Sequence, residues 1–528
     1  MGATIMARGG NAVDAAAATA LALGVVEPAS SGIGGGGFAL VYVAAEHKVY
    51  VYDFRETAPA ALGPSNFLVD GKLDPMRSRL GGLAVGVPGE VAGLAQLVAR
   101  HGALSWRRDV QPSVALARDG VPTPWFVALA IGKVVARLPE DPRFTTLRAL
   151  IAPGGTPRAA GDELVRAELA ATLEAIAMRG PRAFYQGALA DDLVATVAAG
   201  GGVMTAADLA GYKVAEREPL WGEWRGMKLA TMPLPSSGGV VILEMLGILD
   251  RSGIDLASLP FGGSAALHVI AEVMKHAFAD RARLLGDSDP ATAASLTTKL
   301  LDPARLARLA KRVALDAVQP HDSYGETGVA PKAVRPDGGT SHLCVIDEAG
   351  NAVSLTTTVN GYFGSGLVTR GGVVLNNQID DFQIAPGAPN MFGLVQSDLN
   401  LVAPGKRPLS SMSPTLVFEG DRVVGCVGGA GGPMIISGTF QVLLDMFVWG
   451  QDPRAAVSAP RIHHQWLPDR LAVEPELAPD VGAGLKARGQ TVEVSDTRSA
   501  IQAIRVRPDG VREAASDPRH AAAPAAVP

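Results

Sequence analysis

Along most of the chain, apolar positions recur with one of two periods, and the change from one to the other marks the elements. Residues 11–26 are almost unbrokenly apolar and small, entered through Gly9, Gly10 and Asn11, which predicts a buried helix. Residues 38–43 and 48–52 read as two strands. The clearest helix spans 264–285, where Leu267, Ile270, Met274 and Phe278 recur at helical spacing and Ser264 sits where an N-cap belongs. No internal repeat appears at periods of 20–50 residues. Between 316 and 339 the pattern lapses: the segment is polar, carries Pro320, Pro331 and Pro336, and reads as an exposed loop. Residues 520–528, rich in Ala and Pro, read as a disordered tail.

Strand signals resume directly after the loop. Residues 340–347 and 351–360 form two β-rich runs separated by Glu348, Ala349 and Gly350. A three-residue hairpin loop places a glycine in the left-handed conformation, and Gly350 supplies it. If Asp347 faces Asn351, Thr340 falls opposite Thr358, and the two hydroxyls are cross-strand neighbours. A threonine hydroxyl needs an adjacent base to attack a carbonyl; a cut before Thr340 creates an α-amine on the same residue. Such an amine titrates near about 7.7–8.0 and is partly unprotonated at neutral pH. Gly338 and Gly339 give the backbone room to bend so that the hydroxyl reaches the Gly339 carbonyl. Paired strand threonines alone are also what β-propensity provides, so the chemistry rests on the motifs below.

Composition narrows the classes. A chain of 528 residues ordinarily divides into two to four domains, yet no change of composition separates self-contained halves, and one folded unit is expected. With 48% hydrophobic and 19% charged residues there is ample material for a large core. A net charge of -5 with interspersed signs gives no basic stripe for nucleic acid and no polybasic signal for a membrane. The apolar run 15–26, broken by Thr19, is shorter than the roughly 20 residues that span a bilayer, and Asp14 adjoins it. It reads as a buried helix rather than a signal-peptide core. The chain as given is expected to be cytoplasmic, or periplasmic or secreted if its true start lies upstream. Cys344 and Cys426 allow one disulfide but no framework, and no Cys/His cluster has zinc spacing; neither metal nor cofactor is expected.

Nine segments identify a relationship: GGNAVDAA (9–16), EPASSGIGGGGF (27–38), DFRETAP (53–59), PLPSSGG (233–239), GGTSH (338–342), LNNQIDDF (375–382), PLSSMSPT (408–415), GGAGG (428–432) and RIHHQWLPD (461–469). In this order they resemble the γ-glutamyltransferase family of Ntn hydrolases over nearly the whole chain. The resemblance implies an α+β fold, a four-layer αββα sandwich made as one precursor and cut into a large subunit, 1–339, and a small one, 340–528, which pair with each other. It implies Thr340 as nucleophile, freed by scission after Gly339, with Thr358 hydrogen-bonding its hydroxyl. Arg55 would clamp the substrate α-carboxylate, a geometry suited to a guanidinium, with Ser410 and Ser411 adding hydrogen bonds. Asn360, Gln378 and Asp381 would receive the α-ammonium. Gly431 and Gly432 would donate backbone N–H groups to the oxyanion. The implied reaction forms an acyl-enzyme from glutathione or another γ-glutamyl compound and passes the γ-glutamyl group to water or to an amino acid or peptide.

The chain departs from the family pattern in three places. Ser341 stands where a second threonine is common. Phe392 replaces a lid tyrosine, keeping the ring and losing the hydroxyl, which leaves the balance of hydrolysis and transfer open. The N-terminus begins almost inside the first helix. Gly32 to Gly37 match the dinucleotide fingerprint, but they follow a helix and open a strand, the reverse of its context. His463 and His464 lack a third ligand at useful spacing and read as structural. Two other readings fit the same resemblance. One is a related acylase acting on glutaryl side chains of a β-lactam nucleus, for which Asn360, Gln378 and Asp381 would have no ammonium to bind. The other is an uncut, inactive binding homologue.

Overall fold

The small apolar residues after Asn11 fold as helix α1 (Ala12–Val26). Asn11 caps it, its side chain accepting from the Val13 and Asp14 amides while the Asp14 carboxylate accepts from the Asn11 amide. A helix apolar all round has to be buried, and twelve of its residues are. The computed structural model, which describes residues 1–325, 339–496 and 498–527, continues with β1 (Gly36–Val43), β2 (Lys48–Phe54), α2 (Glu90–His101), β3 (Ala215–Arg217), β4 (Leu220–Trp224) and β5 (Met227–Thr231). Then come α3 (Gly238–Arg251), α4 (Ser264–Leu284), β6 (Gly339–Ile346), β7 (Ala352–Asn360), β8 (Thr415–Glu419) and β9 (Arg422–Ala430). Helix α5 (Met434–Phe447) and strands β10 (Ala500–Val506) and β11 (Arg512–Ser516) follow.

The strands form two main sheets. One has the order β6-β7-β1-β2-β3, the other β11-β10-β9-β8-β5-β4. Phe38, Leu40 and Val51 of the first meet Ala230, Leu416 and Cys426 of the second in one buried cluster, so the sheets lie face to face. Helices α1 and α2 pack on the outside of the first sheet, and α3 and α5 on the outside of the second. This is the four-layer αββα sandwich that the sequence motifs imply. A Cys344–Cys426 disulfide joins β6 to β9 between the sheets.

The hairpin has the expected register. Thr340 pairs with Thr358 and Ile346 with Ala352, with an irregularity between Gly339 and Thr340. Gly350 lies at φ 86° in the turn, a conformation that favours glycine. Three expectations need correction or bounding. Ser264 is the first residue of α4 rather than its cap; Gly263 holds the cap position, and the Ser264 hydroxyl accepts from Arg488 instead (3.2 Å). His520, assigned to a disordered tail, packs its ring against Phe126 at 3.9 Å and lies 3.5 Å from Glu27. Most of the expected exposed loop, residues 326–338 with Gly338, lies outside the described residues.

Candidate active site

Thr340 is the second residue of β6, the edge strand of its sheet, and its hydroxyl lies 3.1 Å from that of Thr358 on β7. Both hydroxyls stand 2.8 Å from the Gly339 carbonyl oxygen, each placed to donate to it. The Thr358 oxygen accepts in turn from the Asn360 amide (2.8 Å). Two hydroxyls and one carbonyl oxygen thus form a closed triangle around the Gly339–Thr340 peptide. Close packing fixes that triangle. A Cβ on Gly339 would lie 2.5 Å from the Ala29 carbonyl oxygen, and one on Gly35 2.1 Å from that of Thr358. The glycine run that mimics a dinucleotide fingerprint serves close backbone approach to β7.

A buried, charged cluster is built from three loops. Arg55, at the end of β2, is 1% exposed; it donates to Asp381 (2.6 Å) and to the Pro408 carbonyl (3.2 Å). The residues assigned to opposite ends of a substrate are therefore paired with each other. Asp381 also accepts from Gln378 (2.6 Å) and Asn390 (3.4 Å). The Gln378 side-chain oxygen is buried without a hydrogen-bond partner among the described residues. Asn360, at φ 75°, donates its side-chain N–H to the Asn377 carbonyl (2.9 Å), next to Gln378. Asp380, in the same short turn, faces elsewhere: it accepts from Ser78, Arg79 and the Met391 amide, and burial pushes its carboxyl up to about 6. The Ser410 hydroxyl accepts from the Met412 amide (3.0 Å), and that of Ser411 from Arg281 (3.2 Å). Beside Arg55, burial pushes the Glu56 carboxyl up to about 7 against the pull of the guanidinium.

Gly431 and Gly432 join β9 to α5. They lie at φ 124° and 58°, and a Cβ on Gly431 would stand 2.9 Å from the Arg498 carbonyl oxygen, so glycine is required on both counts. Thr340 and Gly431 line one cavity of about 590 Å³ with Trp125, Phe126, Tyr362 and His520. Phe392 covers Gly432 with its ring and is held by Asn390, which accepts from its amide, and by Gln465, which donates to its carbonyl (3.3 Å). His463 bridges Ser437 of α5 and Gln465, while His464 contacts Asp469; burial lowers both imidazoles to about 4. Among the described residues, no group of three metal-ligating side chains converges.

Thr340 and Gly431 meet in the lining of the cavity, Thr358 and Asn360 join Thr340 through hydrogen bonds, and Arg55, Gln378 and Asp381 form a linked cluster that is not part of that lining. Asn390, Glu56 and Arg281 join that neighbourhood without having been singled out. Asn390 lies two residues before Phe392; Glu56 and Arg281 carry no signal in one sequence beyond their places in DFRETAP and in the helix 264–285.

The gamma-glutamyltranspeptidase family model matches residues 1–527. A glutathione hydrolase proenzyme of Escherichia coli is 39% identical over 525 residues, covering 98% of this chain and 88% of the relative. One of Pseudomonas aeruginosa is 40% identical over 532 residues, covering 98% and 90%. Among solved structures, a cephalosporin acylase from Bacillus halodurans superposes with a TM-score of 0.85 at 29% identity, covering 98% of this chain and 92% of the other. A Helicobacter pylori gamma-glutamyltranspeptidase matches with a TM-score of 0.57 at 34% identity over 61% of this chain and 91% of its own.

Proposed function

The chain belongs to the gamma-glutamyltranspeptidase family, and from that premise we propose how its residues divide the work of a γ-glutamyltransferase with glutathione hydrolase activity. Thr340 attacks the Gly339 carbonyl carbon; the peptide C–N bond breaks, an ester forms on the Thr340 oxygen, and the proton passes to the new amine. Water then hydrolyses the ester, releasing a large subunit, 1–339, and a small one, 340–528. The arrangement that carries this reading is the placement of the Thr340 hydroxyl, with that of Thr358, against the Gly339 carbonyl, each 2.8 Å from its oxygen. That the Escherichia coli and Pseudomonas aeruginosa relatives are named as proenzymes supports it.

In the cut enzyme the Thr340 amine takes the hydroxyl proton as that oxygen attacks the γ-glutamyl amide, and returns it to the departing amine. Thr358 holds the attacking oxygen, and Gly431 and Gly432 receive the oxyanion. Water or an acceptor amine then takes the γ-glutamyl group. Arg55, Ser410 and Ser411 bind the α-carboxylate; Asp381, Gln378 and Asn360 bind the α-ammonium. The unpartnered Gln378 oxygen supports the last assignment, since it needs a donor such as an ammonium group. We further propose an oxidising compartment, periplasmic or secreted, on the strength of the Cys344–Cys426 bond.

The similarity to a cephalosporin acylase gives a second reading, in which the acyl group is glutaryl. That group has no ammonium, so the Gln378 oxygen would stay unpartnered and Asp381 would meet no cation beyond Arg55. A γ-glutamyl anilide is therefore the better substrate, and its glutaryl analogue the control. The decisive variant is Thr340→Ala, expected to remain one 54.4 kDa chain without turnover. Two bands on a denaturing gel, or turnover by the uncut chain, would overturn the assignment.

A further inference from the structure

Arg281 lies in the last turn of α4, where a basic residue ordinarily faces water and complements the helix dipole. Here the guanidinium is 2% exposed. Its Nε donates to the Ser237 hydroxyl (2.9 Å) and one terminal N–H to the Ser411 hydroxyl (3.2 Å). The other terminal nitrogen, Nη1, is buried with no partner among the described residues. Ser237 belongs to the PLPSSGG segment, for which the reaction so far gives no use. Its hydroxyl donates to the Ser410 carbonyl (2.6 Å), its amide donates to the same oxygen (2.9 Å), and the Ser410 amide donates to the Pro235 carbonyl (2.9 Å). Arg281 and this segment therefore brace Ser410 and Ser411 from behind.

The chemistry of that brace is directional. A guanidinium only donates, so both serine hydroxyls must accept from it. The Ser237 hydroxyl donates in turn to the Ser410 carbonyl. Ser411 has its oxygen engaged by a cation, and its proton is left to point away from that cation. A hydroxyl that accepts a charged hydrogen bond is also the stronger donor. The charge behind it is not cancelled locally: burial draws the Arg281 guanidinium down to about 10, and Asp381, the acid that opposes this, is already bonded to Arg55.

We propose that Arg281 is a positioning residue for the substrate α-carboxylate, fixing Ser411 as a hydrogen-bond donor toward it and placing a second positive charge behind that contact. This rests on the reading of Ser410 and Ser411 as carboxylate contacts, and it makes the anion site two cations deep: Arg55 in front, Arg281 behind the serines. The ligand it selects is an acyl donor with a carboxylate on the carbon that also carries the amine.

The test is a cycle of Arg281→Met, Ser411→Ala and the double variant, with Arg281→Lys alongside, all checked for cutting on a denaturing gel. Each is assayed with a γ-glutamyl anilide and with 4-aminobutyryl anilide, the same donor with hydrogen in place of the α-carboxylate. Arg281→Met is expected to raise KM for the γ-glutamyl anilide on the order of 10-fold to 100-fold while kcat changes little, the size of a lost charge-assisted hydrogen bond. Ser411→Ala should act similarly, and the double variant should be little worse than the poorer single one, because one residue acts through the other. Turnover of 4-aminobutyryl anilide should be unaffected by Arg281→Met. Should Arg281→Met not fold, Arg281→Lys is expected to give the same split between KM and kcat, smaller in size. Multiplying penalties, or equal losses on both anilides, would reduce Arg281 to a structural role. A normal KM in Ser411→Ala would overturn the carboxylate reading of the serines itself, whereas a raised KM there with an unchanged one in Arg281→Met removes only Arg281.

Discussion

Replacing Gly339 by alanine should separate self-cleavage from turnover. The added Cβ would lie 2.5 Å from the Ala29 carbonyl oxygen and 3.0 Å from the Ser30 Cα. Neither neighbour yields easily, because the Ala29 carbonyl accepts from the Phe363 amide and that of Ser30 from the Val359 amide, both at 3.0 Å. An ordinary contact begins at 3.4 Å, so residue 339 must retreat by about 0.9 Å, taking its carbonyl away from the Thr340 hydroxyl. A misplacement near 1 Å of an attacking group costs about 100-fold in rate, or about 2.7 kcal/mol of barrier. The expected outcome is a precursor that cuts about 100-fold more slowly on a timed denaturing gel. Once cut, residue 339 is merely the end of the large subunit, so kcat per cut molecule, counted from the small-subunit band, should equal that of the wild type. Cutting at the wild-type rate would refute the argument from carbonyl position. Loss of kcat in the cut fraction would refute the separation of the two steps.

Thr358→Val keeps the shape and removes the hydroxyl that lies on both Thr340 and the Gly339 carbonyl; cutting and anilide turnover should both fall by about 10²-fold, the scale of a lost transition-state donor, and unchanged turnover would exclude Thr358 from catalysis. Asp381→Asn leaves the Arg55 charge buried without its counterion, which should lower unfolding stability by about 3–5 kcal/mol in denaturant melts. The same variant should lose γ-glutamyl turnover far more than glutaryl turnover, and equal losses would argue against an ammonium contact. Burial pushes the Asp445 carboxyl up to about 8, against the opposing pull of Arg461. The fold therefore keeps a proton that the unfolded chain releases near 3.8, and this contribution to stability is full at low pH and lost as pH rises toward 8. Asn does not titrate, so Asp445→Asn should gain on the wild type by about 1.4 kcal/mol per pH unit between those limits; a stability difference equal at pH values of about 5 and 7.5 would refute the shift.

What the sequence discloses and what it withholds follow from the range of the interactions. The hairpin is local: one left-handed glycine and two β-rich runs set its register, so Thr340 opposite Thr358 is legible from residues 340–360 alone. The all-apolar α1 announces its burial in the same way. Ser264 shows the weakness of local signals, since a cap and a first helical residue look alike until Arg488, 224 residues away, claims the hydroxyl. His520 is drawn onto Phe126 by contacts to another part of the fold that composition cannot report. The pairing of Arg55 with Asp381 spans 326 residues, and that of Arg281 with Ser411 spans 130. Residue types at those positions suggest chemistry, whereas the partners exist only once the loops converge.

The two halves of the site belong to different sheets, and that raises the question of what keeps them aligned when the chain is cut. Thr340 heads β6 in one sheet, and Gly431 follows β9 in the other. Cys344 lies beyond Thr340 on β6, Cys426 lies on β9 shortly before Gly431, and the disulfide joins them with Cα atoms 5.9 Å apart. His342 fills the space between, its ring against Gly428 and hydrogen-bonded to Thr356 at 2.8 Å. Burial holds that imidazole down to about 3, so it stays an uncharged spacer throughout the physiological range. A covalent bond and a neutral wedge therefore fix the distance from β6 to the Gly431–Gly432 loop entirely within residues 340–528. Scission after Gly339 would remove none of these contacts, since the disulfide and His342 join residues that all lie after the cut.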